Sequence, residues 1–123
     1  MIKVNEIAFF GYPVTDRARA RGFYEKMLGS KPAMDIDIEK GFWMEFDLPG
    51  GTLALSNVWQ PSRERGGQIA LEVDDFPTAI DTLKKDGVDF ALPPLETPVC
   101  HLAVVTDPDG NGIVIHKRKP GHG

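Results

Sequence analysis

Apolar side chains recur on two different periods along this chain, and the switches between them mark out elements. Ile7 to Val14 is mostly apolar, with Phe9, Phe10 and Tyr12, and predicts a strand. Thr15 and Asp16 follow with side-chain oxygens that can accept from the orphan N–H groups of a helix start. Ala20, Phe23, Tyr24, Met27 and Leu28 then recur at steps of three and four, which places them on one buried helical stripe. Arg17, Arg19, Arg21 and Lys26 fall largely off it, and Gly29 suits the left-handed position that ends a helix. Ala33 to Ile38 alternates apolar with acidic residues. Phe42 to Leu48 sets Phe42, Met44 and Phe46 against Trp43, Glu45 and Asp47. A Pro49-Gly50-Gly51 turn leads to a further strand, Thr52 to Val58.

The pattern then starts again. Gln60 to Gly67 is polar and rich in breakers, so it reads as a linker. Gln68 to Val73 alternates, Asp75 is a second cap candidate, and Pro77 falls in a first helical turn, where its missing N–H costs nothing. Ala79, Ile80 and Leu83 give a short stripe that Gly87 stops. Strands follow at Val88 to Leu92, Val99 to Thr106 and Ile113 to Lys117, the last two joined by the turn Asp107-Pro108-Asp109-Gly110-Asn111-Gly112. The order strand-helix-strand-strand-strand therefore occurs twice, and Val14-Thr15-Asp16 before the first helix matches Val73-Asp74-Asp75 before the second. The expected fold class is α+β: two βαβββ modules forming a cup-shaped curved mixed sheet, with the helices on its outer face. Module one is expected at 1–59, the linker at 60–67, module two at 68–119 and a tail at 120–123, all within one domain.

Composition narrows the function classes. The chain has 123 residues, enough for one ordinary domain with a modest core. With 41% hydrophobic and 26% charged residues it belongs with soluble globular chains. A net charge of −4 argues against a nucleic-acid partner, because phosphate contacts call for surplus Lys and Arg. The basic run Lys117-Arg118-Lys119 reads as a solvated strand end rather than a binding patch. One cysteine, Cys100, allows no internal disulfide. No apolar run approaches the roughly 20 residues of a membrane helix, and a cytoplasmic location without a membrane partner is expected.

The spaced motifs resemble the vicinal oxygen chelate superfamily, that is, glyoxalases, bleomycin-resistance proteins and extradiol dioxygenases. In the first half the resemblance is carried by Tyr12-Pro13-Val14-Thr15-Asp16, Ala18, Ala20 and Phe23-Tyr24-Glu25 up to Leu28-Gly29. In the second it is carried by Gln68 to Asp75 and by Asp107-Pro108-Asp109-Gly110-Asn111. The resemblance implies the fold above, a small-molecule ligand and a homodimer. Metal enzymes of this superfamily place His, Gln or Glu donors on the first and last strand of each module, leaving an open coordination position for substrate oxygens. On this chain the first-strand positions are Phe9 and Gln68, and the last-strand position of module two is Val114. No Asp, Glu or His occurs between Asp47 and Glu64, where module one ends. At most one donor of four remains, so no metal and no other cofactor is expected.

Other residues offer alternatives. If Pro49-Gly50 is a two-residue hairpin turn, Leu48 faces Gly51 and Glu45 lies opposite Ala54, on the less apolar face. His116 shares a face with Val114 by alternation. Glu45 and His116 are thus the candidate acid/base residues, with Gln68 a candidate polar group in the same cavity; each has an equally ordinary structural role open to it. Of Cys100 and His101 only one can face the cup; if it is Cys100, a Cys–His pair with His116 becomes possible, against the plainer reading of a buried inert thiol. Phe9, Trp43 and Trp59 are aromatic candidates for stacking on a flat ligand. The reading carried forward is a small-molecule-binding protein without the usual metal site, with Phe9, Trp43, Gln68, Cys100 and Val114 as ligand contacts. The alternative is a lyase, isomerase or dioxygenase of the same superfamily, metal-independent or with relocated ligands. A third is an interaction module whose cup is filled by its own side chains.

Overall fold

A computed structural model describes residues 3, 5–61 and 68–121. The chain divides into two compact units, Met1–Ser62 and Arg63–Gly123. Unit one runs β1 (Phe10–Pro13), α1 (Arg17–Leu28), β2 (Met34–Ile38), β3 (Gly41–Leu48) and β4 (Gly51–Ser56). Its four-stranded sheet has the order β1-β4-β3-β2, with β1 parallel to β4 and the other pairs antiparallel. Helix α1 starts where Asp16, in an extended conformation, accepts from the Arg19 N–H at 2.9 Å, and it ends at Gly29 with φ 68°. Tyr24 on its inner side packs against Phe46, ring centroids 6.1 Å apart, so Phe42, Met44 and Phe46 of β3 bury toward the helix with Leu53 and Leu55 of β4. The opposite face of this sheet carries Trp43, Glu45 and Ala54.

Unit two repeats the plan with β5 (Ile69–Glu72), α2 (Phe76–Lys85), β6 (Asp89–Glu96), β7 (Cys100–Thr106) and β8 (Gly112–Arg118), ordered β5-β8-β7-β6. Asp75 caps α2 by accepting from Thr78 N–H at 3.0 Å, with Pro77 in the first turn. Ile113, Ile115, Ala103 and Val105 form the buried side of the sheet, and Phe76 of α2 lies against His101 on that side. Thus α+β class and the twofold βαβββ order are both as the sequence predicts. The hairpin register holds too: Leu48 pairs with Gly51 and Glu45 with Ala54.

Two boundaries differ from expectation. The first strand begins at Phe10 rather than Ile7, because the chain upstream gains no burial; Ile7 stays 66% exposed. The strand expected to end at Leu92 continues through Pro93 and Pro94 to Glu96, with register irregularities between Phe90 and Leu95. As the edge strand it pairs on one side only, where missing proline donors are tolerated. The linker expected at 60–67 lies outside the described residues from 62 onward.

Candidate functional site

In unit one the face turned away from α1 gathers an aromatic cluster. Phe9, just before β1, meets Trp43 of β3 edge-on at 5.2 Å and Trp59 at 6.4 Å, and the two indoles lie 5.4 Å apart. Trp59 is brought there by the chain after β4. Asn57 Oδ1 accepts from the Phe42 N–H at 3.0 Å, and the Ser56 hydroxyl donates to the Phe42 carbonyl at 2.7 Å while accepting from the Val58 N–H at 3.1 Å. Gly11 completes the seat: a Cβ there would stand 2.4 Å from the Trp59 ring. Beside the cluster, Trp43 Nε1–H donates to Glu45 Oε2 at 2.7 Å, so Glu45 is an anchored carboxylate at the edge of the rings.

In unit two, Ala70, Val114 and Val104 lie in one row across the sheet, with Glu72, His116 and Leu102 in the next row on the same face. Cys100 shares that face by alternation, and His101 takes the helix side against Phe76. The Cys–His pair does not form. Cys100 lies opposite Arg118 in register, is 6% exposed, and has its Sγ 3.2 Å from Thr97 Oγ1. His116 instead places Nδ1 2.5 Å from Glu72 Oε1, and Glu72 Oε2 accepts the Arg118 N–H at 2.8 Å. These two bonds, the backbone one larger, hold the Glu72 carboxyl below its ordinary value of 4.5. An ionised carboxylate only accepts, so Nδ1 donates to it and Nε2 is the ring nitrogen that Glu72 does not engage. Gln68 lies against Gly112, where a Cβ would stand 2.4 Å from its Nε2. His116 is four residues further along β8, about 13 Å at strand rise, so Gln68 and His116 do not meet. Glu45 belongs to unit one and the other two to unit two.

The donors present at the superfamily's metal positions do not fit a divalent ion. Phe9 offers an aryl ring already in contact with two indoles, Val114 offers no heteroatom, and Gln68 offers one neutral amide. Among the described residues no group of three or more His, Cys, Asp or Glu is placed to hold a metal ion. Two features escaped the sequence reading: Glu72 as the partner of His116, and Gly11 as the seat of Trp59. The first was hidden because it depends on the parallel pairing of β5 with β8, which brings residues 44 positions apart together.

An α+β chain with one helix against each of two four-stranded mixed sheets and this repeat order defines a class of protein. A family model places the chain within it: residues 4–115 match the Glyoxalase/Bleomycin resistance protein/Dioxygenase superfamily, and the chain belongs to that superfamily. No curated protein matches it. Among solved structures it is similar to TnmS3, an antibiotic binding protein from Streptomyces sp. CB03234, with 26% identity and a TM-score of 0.80 over 97% of this chain and 100% of that one. It is also similar in fold to a superfamily member from Sphaerobacter thermophilus DSM 20745, with 24% identity and a TM-score of 0.74 over 93% and 98% of the two chains. The trypanothione-dependent glyoxalase I of Leishmania major shares the fold at 22% identity and a TM-score of 0.77, over 93% and 87%. No helix among the described residues is long and apolar enough to cross a membrane.

Proposed function

We propose that this protein binds a flat, largely apolar or aromatic small molecule without a metal ion, through the face carrying Phe9, Trp43 and Trp59. The observation that carries the reading is the ring cluster itself. At the position where metal enzymes of the superfamily supply a donor, Phe9 supplies a ring in contact with two more. Phe9 is 41% exposed, so the cluster is not a sealed core, and stacking on accessible aromatic faces is a general means of holding flat ligands. The likeness to an antibiotic binding protein over nearly the full length of both chains supports the same reading. The test is calorimetric titration with planar aromatic antibiotics, read alongside the emission of Trp43 and Trp59, the chain's two tryptophans. Saturable binding that Trp43→Ala abolishes is expected; binding unaffected by that substitution would place the ligand elsewhere.

A second reading has its own observation. His116, oriented by Glu72, is arranged as a general base, which suits a metal-independent lyase or isomerase acting beside a carbonyl. Screening 2-oxo aldehydes and related carbonyl compounds for turnover tests it. Turnover lost in both His116→Ala and Glu72→Gln is the supporting result, and turnover that survives His116→Ala removes the residue as base.

A further inference from the structure

We infer that the ligand of the unit-one face is a flat aromatic cation, stacked on the ring cluster and neutralised by Glu45. The inference rests on the binding reading above and names the chemical class of its ligand.

Three observations converge on it. Glu45 is held beside the rings by the Trp43 indole N–H on Oε2, while its other oxygen hydrogen-bonds to no described residue and is left to meet a ligand. Asp47 follows two positions along β3 on the same face and is exposed. The strand positions of this face carry no Lys, Arg or His, whereas the guanidinium groups of Arg17 and Arg21 are engaged on the helix side by Asp35. Among its described strand positions the face therefore sets carboxylates beside the aromatic quadrupoles, with no basic side chain. A cation is attracted by both, and an anion by neither.

Ring spacing decides the shape of that cation. Centroid separations of 5.2, 5.4 and 6.4 Å put the rings in contact with one another. No interior remains for a compact ammonium, so this is not an aromatic cage. A ligand must lie over the outer ring faces, which favours an extended planar system with its charge delocalised or carried at the edge near Glu45.

Proflavine and acridine provide a matched test, being planar tricycles that are respectively cationic and neutral in mildly alkaline buffer. Both are titrated calorimetrically into the wild-type protein and into Glu45→Gln, whose amide oxygen can still accept from Trp43. Proflavine is expected to bind about tenfold more tightly than acridine, and Glu45→Gln to remove that difference without weakening acridine. Equal affinity of the two dyes for the wild type overturns the cation inference and leaves the binding reading standing. So does a proflavine preference that persists in Glu45→Gln with an unchanged near-ultraviolet dichroism. Binding of neither dye overturns the inference together with the aromatic-face reading.

Discussion

Gly11 and Gly22 are both glycines of unit one, yet replacing each by alanine has opposite consequences. At Gly22, inside α1, an added Cβ meets nothing within 4 Å, so Gly22→Ala gains helix propensity and stabilises the protein by about 1 kcal/mol. At Gly11 the Cβ meets Trp59 at 2.4 Å, and the indole must leave its seat. Gly11→Ala is expected to cost about 1–3 kcal/mol, to change the tryptophan near-ultraviolet dichroism and to weaken ligand binding. Urea unfolding of the pair checks both signs; equal effects would show that Trp59 does not depend on Gly11. Glu72 gives a pH prediction. Its carboxyl is held low chiefly by the Arg118 N–H, then by His116, so its contribution is present above the ordinary value of 4.5 and fades as pH falls through the lower folded value. The stability gap between wild type and Glu72→Gln should thus be widest near neutrality and close in acid, and a gap that stays constant on acidification would contradict the assignment. Phe9 and Val114 were legible as non-donors because residue type alone decides whether a side chain can ligate. The Trp59 seat was not, because it depends on the path of residues 57–60 in space.

At the scale of elements, α1 is tied to the edge strand β2 by charge. Arg17 donates from Nε to one oxygen of Asp35 and Arg21 from Nη1 to the other, each at 2.8 Å, and Arg17 also reaches Asp37. The Asp35 side chain is only 14% exposed, so it is the shared anchor, while both arginines remain more open to solvent. Asp35→Asn is expected to cost about 1 kcal/mol at low ionic strength and noticeably less at 1 M salt, where exposed charges are screened. A cost that does not change with salt would mean that packing, not charge, is lost. The acidic positions of this strand were visible as alternation, but their partners were not. The arginines of α1 read as residues off the apolar stripe, and only the packing of helix on sheet turns two of them toward β2. Caps were legible at both ends of the repeat, since Asp16 and Asp75 each precede a helical stripe and each accepts the expected N–H. The extent of β6 was not, because prolines end a central strand but not an edge one.

At the scale of the whole molecule, one fold houses an antibiotic binding protein and a glyoxalase I, so membership of the superfamily does not by itself assign a reaction. What separates the possibilities for this chain is whether its stability and binding depend on a metal ion. An ion that binds the folded state and is present at about a thousand times its Kd contributes about 4 kcal/mol, and its removal lowers the melting temperature accordingly. With Phe9 and Val114 at two of the donor positions, no such contribution is expected. Dialysis against a strong chelator should leave the melting temperature and the affinity for planar ligands unchanged, and added Ni, Zn, Mn or Fe should restore nothing because nothing was lost. A drop of several degrees on chelation, reversed by one of these ions, would show that the chain builds a metal site from other residues. His116 would then be the first to replace, since imidazole nitrogen is a common metal ligand and Glu72 already orients this ring on the unit-two face.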